Sequence, residues 1–533
     1  MEMGTGMVSR ALDLLALAAV LGGLVLLFHD LDRNGSTWDE RVDFRIARNF
    51  VEQGSIVQDK SDPSQTRLPH IIGALSIAAL GENLWAFKLP FALTGVLSGL
   101  VLFAFVAARH DARTALYCLA FYLTNPWVLA SSRTAATAGD ILVVLTTFAW
   151  LWVAILVFGG REAPRHPLAK TVCLGLLTGI AIGAKLTNAV LFPAGLALVA
   201  VRRKSLTHLI VFALLASFAA VAIHPLLITH TSSTIGATTL AFGATPLALE
   251  GVSTRAASEV ERIILAVEPM EVENTPKLRY LYSLLVGKLT LPFLLFVVVG
   301  IVAGLFEVAR TRRLDPHFLG ALAFVLVPCA LLIWKYKQNT SYYLPLLLPA
   351  ISIAAIPLAR GLRSALPWRR LVVALAWLAI VGYQLWLDTN LAPDFLQAGR
   401  RLGPAAQGQM AGPATNHCQG TPVLIETLNR LRQHGERFDT VYVLETCLPV
   451  ITNDVTFGPI APDGFRFVRY SLVLPPRDEH VFVVHEVIRL DEYGMPDHTE
   501  RMRWLDWAKH GCTWLNADAP LDRFRIYRCP ARE

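Results

Sequence analysis

Residues 11–28 read ALDLLALAAVLGGLVLLF, and a short way beyond them Thr37-Trp38-Asp39-Glu40 opens a second run, 41–53, in which Phe44, Ala47, Phe50 and Val51 recur at helical spacing. At 1.5 Å per residue the first run reaches about 27 Å, enough to cross a hydrocarbon layer about 30 Å thick. The second is amphipathic and suits the membrane surface. A pair of carboxylates beside a bilayer, at the start of such a helix, is costly to place there without a use.

The rest of the chain fits that reading. Of its 533 residues 54% are hydrophobic and 17% charged, and the mean hydropathy is +0.47. This composition excludes an ordinary soluble protein and points to many membrane spans. About eleven are expected, near 11–28, 87–108, 114–130, 141–158, 171–184, 188–201, 206–228, 285–306, 318–334, 343–358 and 371–387. The pair 171–184 and 188–201 is short and reads as two tilted spans or a re-entrant hairpin. The first span is expected to stay attached, because Asp30, Asp32 and Arg33 follow it in place of a small-residue cleavage site. The net charge of +7 does not indicate nucleic acid as a partner. The basic residues stand in short clusters between apolar runs: Arg109/Arg113, Arg161/Arg165/Lys170, Arg202/Arg203/Lys204, Arg310/Arg312/Arg313 and Arg360/Arg363/Arg369/Arg370. The positive-inside rule makes those turns cytoplasmic and puts Asp39 and Glu40 outside.

Two outer loops are long, 29–86 and 229–284, and long loops in a membrane protein commonly carry function. Residues 71–80 read as an interfacial helix in the first, and 259–267 look amphipathic in the second. From Asp388 the chain turns polar, with strand-like runs at 440–444, 481–485 and 525–528. The expected organisation is an α-helical membrane domain, 1–387, followed by an extracytoplasmic α/β domain, 388–533. Cys418, Cys447, Cys512 and Cys529 form an even set there, with three possible pairings in an oxidising compartment. Cys118, Cys173 and Cys329 lie in spans and read as buried free thiols.

The candidate chemistry is acidic and cationic together. Thr37 and Glu40 have capping-box spacing, so part of the acidic signal starts a helix. Asp39 is not needed by that box. Asp140 follows Ser131-Ser132-Arg133-Thr134 at the outer end of another span, and reads either as a helix-start residue or as a second acid of one site. A carboxylate in such a place can take a proton from a hydroxyl. Arg67, Lys185, Lys335 and Lys337 lie near the outer boundary, where positive charge is disfavoured. Each reads singly as headgroup snorkelling; facing one cavity they suit a phosphate, Arg as a fork and Lys as a point charge. Trp334, Tyr336, Tyr342 and Tyr343 read as an interfacial belt or as a platform for a sugar.

Read together, these motifs resemble the polyprenyl-phosphate-sugar-dependent glycosyltransferases with the GT-C fold. That group includes protein O-mannosyltransferases, the aminoarabinose transferase of lipid A and rhizobial lipopolysaccharide core transferases. Asp39-Glu40-Arg41, Ile46-Ala47-Arg48 and Gly54 resemble their acidic pair, short helix and glycine. Arg67-Leu68-Pro69 stands where they carry Lys-Pro-Pro. The run from Gly81 through Trp85-Ala86-Phe87-Lys88-Leu89-Pro90 is similar to their Gly-x-x-x-Trp-Ala-x-Arg-Leu-Pro. Ser132-Arg133 with Asp140 resembles their second acidic loop, Gly175, Gly179 and Gly183-Ala184-Lys185 their glycine-rich span, and Lys337 with Tyr342-Tyr343-Leu344-Pro345 a later outer loop. The resemblance covers roughly 10–360. It implies a donor of the polyprenyl-phosphate-sugar kind and transfer to a hydroxyl of an extracytoplasmic lipid, glycan or protein acceptor. It implies Asp39 as base with Asp140 and Glu40 beside it, and Arg67, Lys185, Lys337 and Tyr342 on the donor. Inversion at the anomeric carbon follows if the hydroxyl attacks directly.

The expected location is a cell inner membrane, with membrane lipids as partners and the site outside. No cofactor is assigned and metal use is open: Asp39, Glu40 and Asp140 could hold a divalent ion, but no His joins them. The competing reading is a transporter or flippase of a lipid-linked sugar. That reading calls for internal repeats and mid-membrane acids, and neither is visible.

Overall fold

The computed structural model describes residues 2–29, 31, 38–54, 68–133, 139–158, 167–223, 290–312, 315–335, 344–364, 366–391, 428–435, 440–443, 466–469, 480–485, 510–515 and 524–529. The helices, in chain order, are α1 Glu2–Phe28, α2 Trp38–Gln53, α3 Leu68–Leu80, α4 Leu84–Arg109, α5 Ala112–Leu123, α6 Pro126–Arg133, α7 Gly139–Phe158, α8 Pro167–Ala184, α9 Leu191–Arg203, α10 Leu206–Ile223, α11 Leu291–Thr311, α12 Pro316–Lys335, α13 Leu347–Leu362 and α14 Pro367–Leu391. A 3₁₀ turn, Leu186–Val190, precedes α9.

Seven helices among the described residues are long and apolar enough to cross a membrane: α1, α4, α8, α10, α11, α13 and α14. Shorter apolar stretches lie in α3, α7 and α12. Two expected spans are not single helices. The run 114–130 breaks at Thr124-Asn125-Pro126 into α5 and α6, because the residue before a proline is pushed out of the helical region. Asn125 Oδ1 then accepts the Trp127 amide at 3.0 Å to start α6. The run 188–201 begins as the 3₁₀ turn and only then becomes α9.

Leucines and valines exposed along α1, α10, α11 and α14 give these helices lipid-facing sides. Between helices there is no hydrophobic contrast with lipid, so close approach relies on small residues. A Cβ on Gly179 of α8 would meet the Ala216 carbonyl of α10 at 2.5 Å, and one on Gly175 the Phe212 carbonyl at 3.0 Å. The glycine-rich span is therefore the surface on which α10 lies. Trp150 of α7 donates to Thr178 of α8 at 2.8 Å and closes the other side. The main core gathers α1–α5, α7, α11, α13 and α14 around Phe87, Phe91, Tyr117, Phe121 and Trp377. Cys118 is buried and free there; Cys173, expected to be buried, is free but exposed on α8.

The last described elements form a five-stranded sheet of order β2-β1-β3-β5-β4. Its strands are β1 Thr440–Val443, β2 Arg466–Arg469, β3 His480–His485, β4 Thr513–Trp514 and β5 Phe524–Cys529. β2, β1 and β3 run parallel, and β5 and β4 are antiparallel to their neighbours. Cys512 is disulfide-bonded. Thr513 pairs with Arg528 in register, so the next step of the ladder sets position 512 against position 529. Cys418 and Cys447 lie outside the described residues.

Candidate active site at the α2 end of the bundle

α2 is short and charged on one side, so its position depends on what it is seated against. Phe44 packs edge-on to Phe87 of α4, with ring centroids 5.3 Å apart. Ala47 is buried beside Gly73 of α3. Arg48 pairs with Glu52 one turn on at 2.8 Å and with Glu82, in the α3–α4 turn, at 2.9 Å. Gly54, at φ +65°, ends the helix with its amide on the Phe50 carbonyl, the left-handed stop that glycine makes without a side-chain clash.

The strongest tie is buried. His70 Nε2 of α3 lies 2.8 Å from Asp43 Oδ1 of α2, and both side chains are nearly withdrawn from solvent. Asp39 stands four residues before Asp43, one turn along the same face of α2. The helix starts at Trp38, which makes Glu40 its third residue, the place a capping-box glutamate occupies. The side chains of Asp39 and Glu40 lie outside the described ones.

Asp140 is the second residue of α7, and its side chain likewise lies outside the described ones. Its helix follows α6, from which it is separated by residues 134–138, which lie outside the described ones. The guanidinium of Arg133, at the close of α6, is fully buried and donates from Nη1 to the carbonyls of Leu26, Leu27 and His29 at 2.7, 3.2 and 2.6 Å. These are the acceptors the end of α1 would otherwise leave unpaired. The chain segments leading into Asp39 and into Asp140 thus set out from one point.

α7 leaves this end and α8 returns to it, delivering Lys185. That residue is half-buried, in extended backbone between α8 and the 3₁₀ turn. Asn188 holds the break, its Nδ2 on the Ala181 carbonyl at 2.7 Å and its amide on the Lys185 carbonyl at 2.9 Å. Lys88, in the second turn of α4, is fully buried at the same end and engaged by its surroundings. A buried ammonium demands a counter-charge.

Asp43, His70 and Lys88 were not singled out as site residues by sequence. Lys88 carries the one signal that could have found it, a charge inside an apolar span. Arg67, Lys337 and Tyr342 lie outside the described residues, as does the 229–284 loop. Among the described residues no three His, Cys, Asp or Glu side chains converge on a metal position. Asp39, Glu40 and Asp140, the groups a divalent ion would use, are not in that set. This end of the bundle therefore holds the Asp43–His70 tie, the buried Lys88 and the half-buried Lys185, with Arg133 binding the close of α6 to the end of α1.

Residues 68–228 match the family described as dolichyl-phosphate-mannose-protein mannosyltransferase. No curated protein sequence matches the chain. Among solved structures, the chain is similar to apo ArnT from Cupriavidus metallidurans, at 15% identity and TM-score 0.50, over 99% of this chain and 98% of that one. The same protein bound to undecaprenyl phosphate matches at 16% identity and TM-score 0.49, over 97% of each chain. The Archaeoglobus fulgidus oligosaccharyltransferase in complex with Zn and sulfate matches at 15% identity and TM-score 0.47, over 84% of this chain and 62% of that one. Taken with the helical architecture, the likeness to apo ArnT shows the fold, a membrane-helix bundle of the GT-C type, and residues 68–228 carry the match to the mannosyltransferase family model.

Proposed function

We propose that the protein moves a sugar from a polyprenyl-phosphate-sugar donor to a hydroxyl of an acceptor at the outer face of a cell inner membrane. Asp39 takes the hydroxyl proton as the oxygen attacks the anomeric carbon. The bond from that carbon to the phosphate oxygen breaks, and polyprenyl phosphate leaves. Direct attack inverts the anomeric centre. Lys185, with Arg67 and Lys337, neutralises the leaving phosphate. Tyr342 flanks the donor, Asp140 orients the acceptor, and Glu40 fixes the start of α2. Residues 1–387 carry this chemistry, and 388–533 form a second domain on the outer side.

The observation that supports the reading is the clasp of Arg133, at the close of α6, on the carbonyls at the end of α1, from which the segments leading to Asp39 and to Asp140 depart. The matched family, whose description names a dolichyl-phosphate-linked sugar, supports the donor class. The test is donor cleavage. The purified chain, given a radiolabelled polyprenyl-phosphate sugar and envelope acceptors, should release polyprenyl phosphate and label the acceptor, and Asp39→Asn should not. Movement of intact donor across a proteoliposome bilayer, with no cleavage, would replace this reading with a transporter.

A further inference from the structure

The other end of the bundle holds a cavity that sugar transfer does not use. It lies among α4, α11, α12 and α13 and has a volume of about 880 Å³, within the usual range for small-molecule sites. α4 runs from the α2 end to this cavity, about 39 Å away at 1.5 Å per residue. The inner wall is apolar, made by Phe105, Val106, Phe318, Ala321, Ile353 and Ile356. From Arg363 at the mouth to Ile353 is about 15 Å along the helix, half the thickness of a hydrocarbon layer.

The mouth carries three guanidiniums against two carboxylates, Glu307 and Asp315. Arg109 pairs with Asp315 through Nε, at 3.1 Å, and Nη2. Arg360 uses Nη2 on Glu307 and Nη1 on the Ala303 carbonyl. Arg363 uses Nε and Nη2 on Asp111, just outside the mouth, and Nη2 also on the His110 carbonyl. The ion pairs hold the three heads around one opening. Among the described residues, Arg109 Nη1, Arg360 Nε and Arg363 Nη1 have no protein partner. The side chains are 43%, 43% and 57% exposed. Donors of this kind suit a phosphate oxygen, and the apolar depth behind them suits a hydrocarbon chain. Basic pockets between membrane helices bind anionic headgroups for this reason.

We propose that this cavity binds one anionic diacyl phospholipid of the adjoining leaflet. Its phosphodiester rests on Arg109, Arg360 and Arg363, and one acyl chain occupies the wall between Phe105 and Ile353. The site is separate from the sugar-transfer end and does not depend on that assignment.

The test uses the full chain, delipidated in detergent and examined by native mass spectrometry with phosphatidylglycerol, phosphatidylcholine or a polyprenyl phosphate added. The wild-type chain should keep one phosphatidylglycerol under activation that strips phosphatidylcholine. The double variant Arg109→Gln/Arg363→Gln should lose that preference by about tenfold, the scale of a lost charge-assisted hydrogen bond. Ala108→Trp blocks the mouth while leaving the ion pairs in place, and should lose it equally. This second variant decides the matter if the arginine variant fails to fold. Polyprenyl phosphate binding should be unaffected by either. Equal retention of the two phospholipids by the wild type would overturn the proposal, as would phosphatidylglycerol held undiminished by Ala108→Trp.

Discussion

His70 Nε2 and Asp43 Oδ1 meet at 2.8 Å in a buried contact that joins α3 to α2. His70 Nδ1 is buried with no partner among the described residues. The pair fixes the helix that carries Asp39 against the helix that follows Arg67, so it governs the geometry between a proposed base and a proposed phosphate ligand. Asp43→Ala strands a buried imidazole and should cost about 1.5–3 kcal/mol, the worth of a hydrogen bond to a charged group. Turnover should fall more than donor affinity, and Asp43→Asn should restore part of both. Thermal unfolding and a kcat-against-KM comparison check this. A variant that unfolds as the wild type does and turns over normally would make the contact incidental.

Asp39→Asn keeps the shape and removes the proton acceptor. A positioned general base contributes about 10²–10⁴-fold, so turnover should drop on that order while the fold and donor binding persist. Glu40→Gln should do less, since its place in α2 is that of a capping residue, and Asp140→Asn should fall between. Single-turnover transfer assays on all three variants rank them.

Lys185→Ala, Arg67→Ala and Lys337→Ala should each weaken donor binding by about 1–3 kcal/mol, with little change in acceptor binding. Isothermal titration with donor reads this directly. Unchanged donor affinity in all three would return these cations to headgroup contact.

Thiol counting on denatured, unreduced protein should leave Cys118, Cys173 and Cys329 free. Peptide mapping should find Cys512 joined to Cys529, as the β4–β5 register implies. Closing a loop of this length contributes about 3 kcal/mol, so Cys512→Ser should lower the unfolding temperature of the C-terminal sheet. Recovery of Cys512 in a different bridge would show that the ladder does not continue as drawn.

Stability should fall on acidification. Burial, with Arg109 and Arg363 adding to it, lowers the His110 pKa from 6.5 to about 4. The unfolded chain then binds this proton more readily than the folded one. The stabilisation is complete above pH 6.5 and is lost as pH falls toward 4. At Asp315 burial pushes the pKa up, but hydrogen bonds from His317 and Arg109 and the Arg109 charge outweigh it and hold it below 3.8. That group extends the loss to lower pH. Unfolding temperatures from pH 7 to 4.5 should decline, and His110→Asn should flatten the decline.

Much of the fold was legible because long apolar runs have few other destinations. The expected span 87–108 is α4, 141–158 is α7, and 71–80 lies within α3. Three strands were visible as β-branched and aromatic runs. The β2 segment, Arg466–Arg469, and the two-residue β4 were not, since charge at one and brevity at the other are tolerated only beside a paired neighbour. The break at Asn125-Pro126 was readable in principle and was masked by the apolar composition on either side. At the site, residue types in order pointed to Asp39, Asp140 and Lys185 as candidates. Asp43 with His70 could not be found this way, because 27 residues separate them and neither alone departs from an amphipathic surface. Arg133 looked like an outer-boundary charge, yet it is buried against carbonyls more than 100 residues earlier.

That arginine has a consequence for how such a protein diversifies. One guanidinium clasps the end of α1 and closes α6, so the departure points of both acidic loops are set within the helical body. The loops themselves can lengthen, shorten or change composition to suit a new acceptor without the two acids drifting apart at their roots. Arg133→Lys keeps the charge but gives up the planar head that spans three carbonyls. Variation in the loops around it is thus permitted by constancy at a position buried within the helical body.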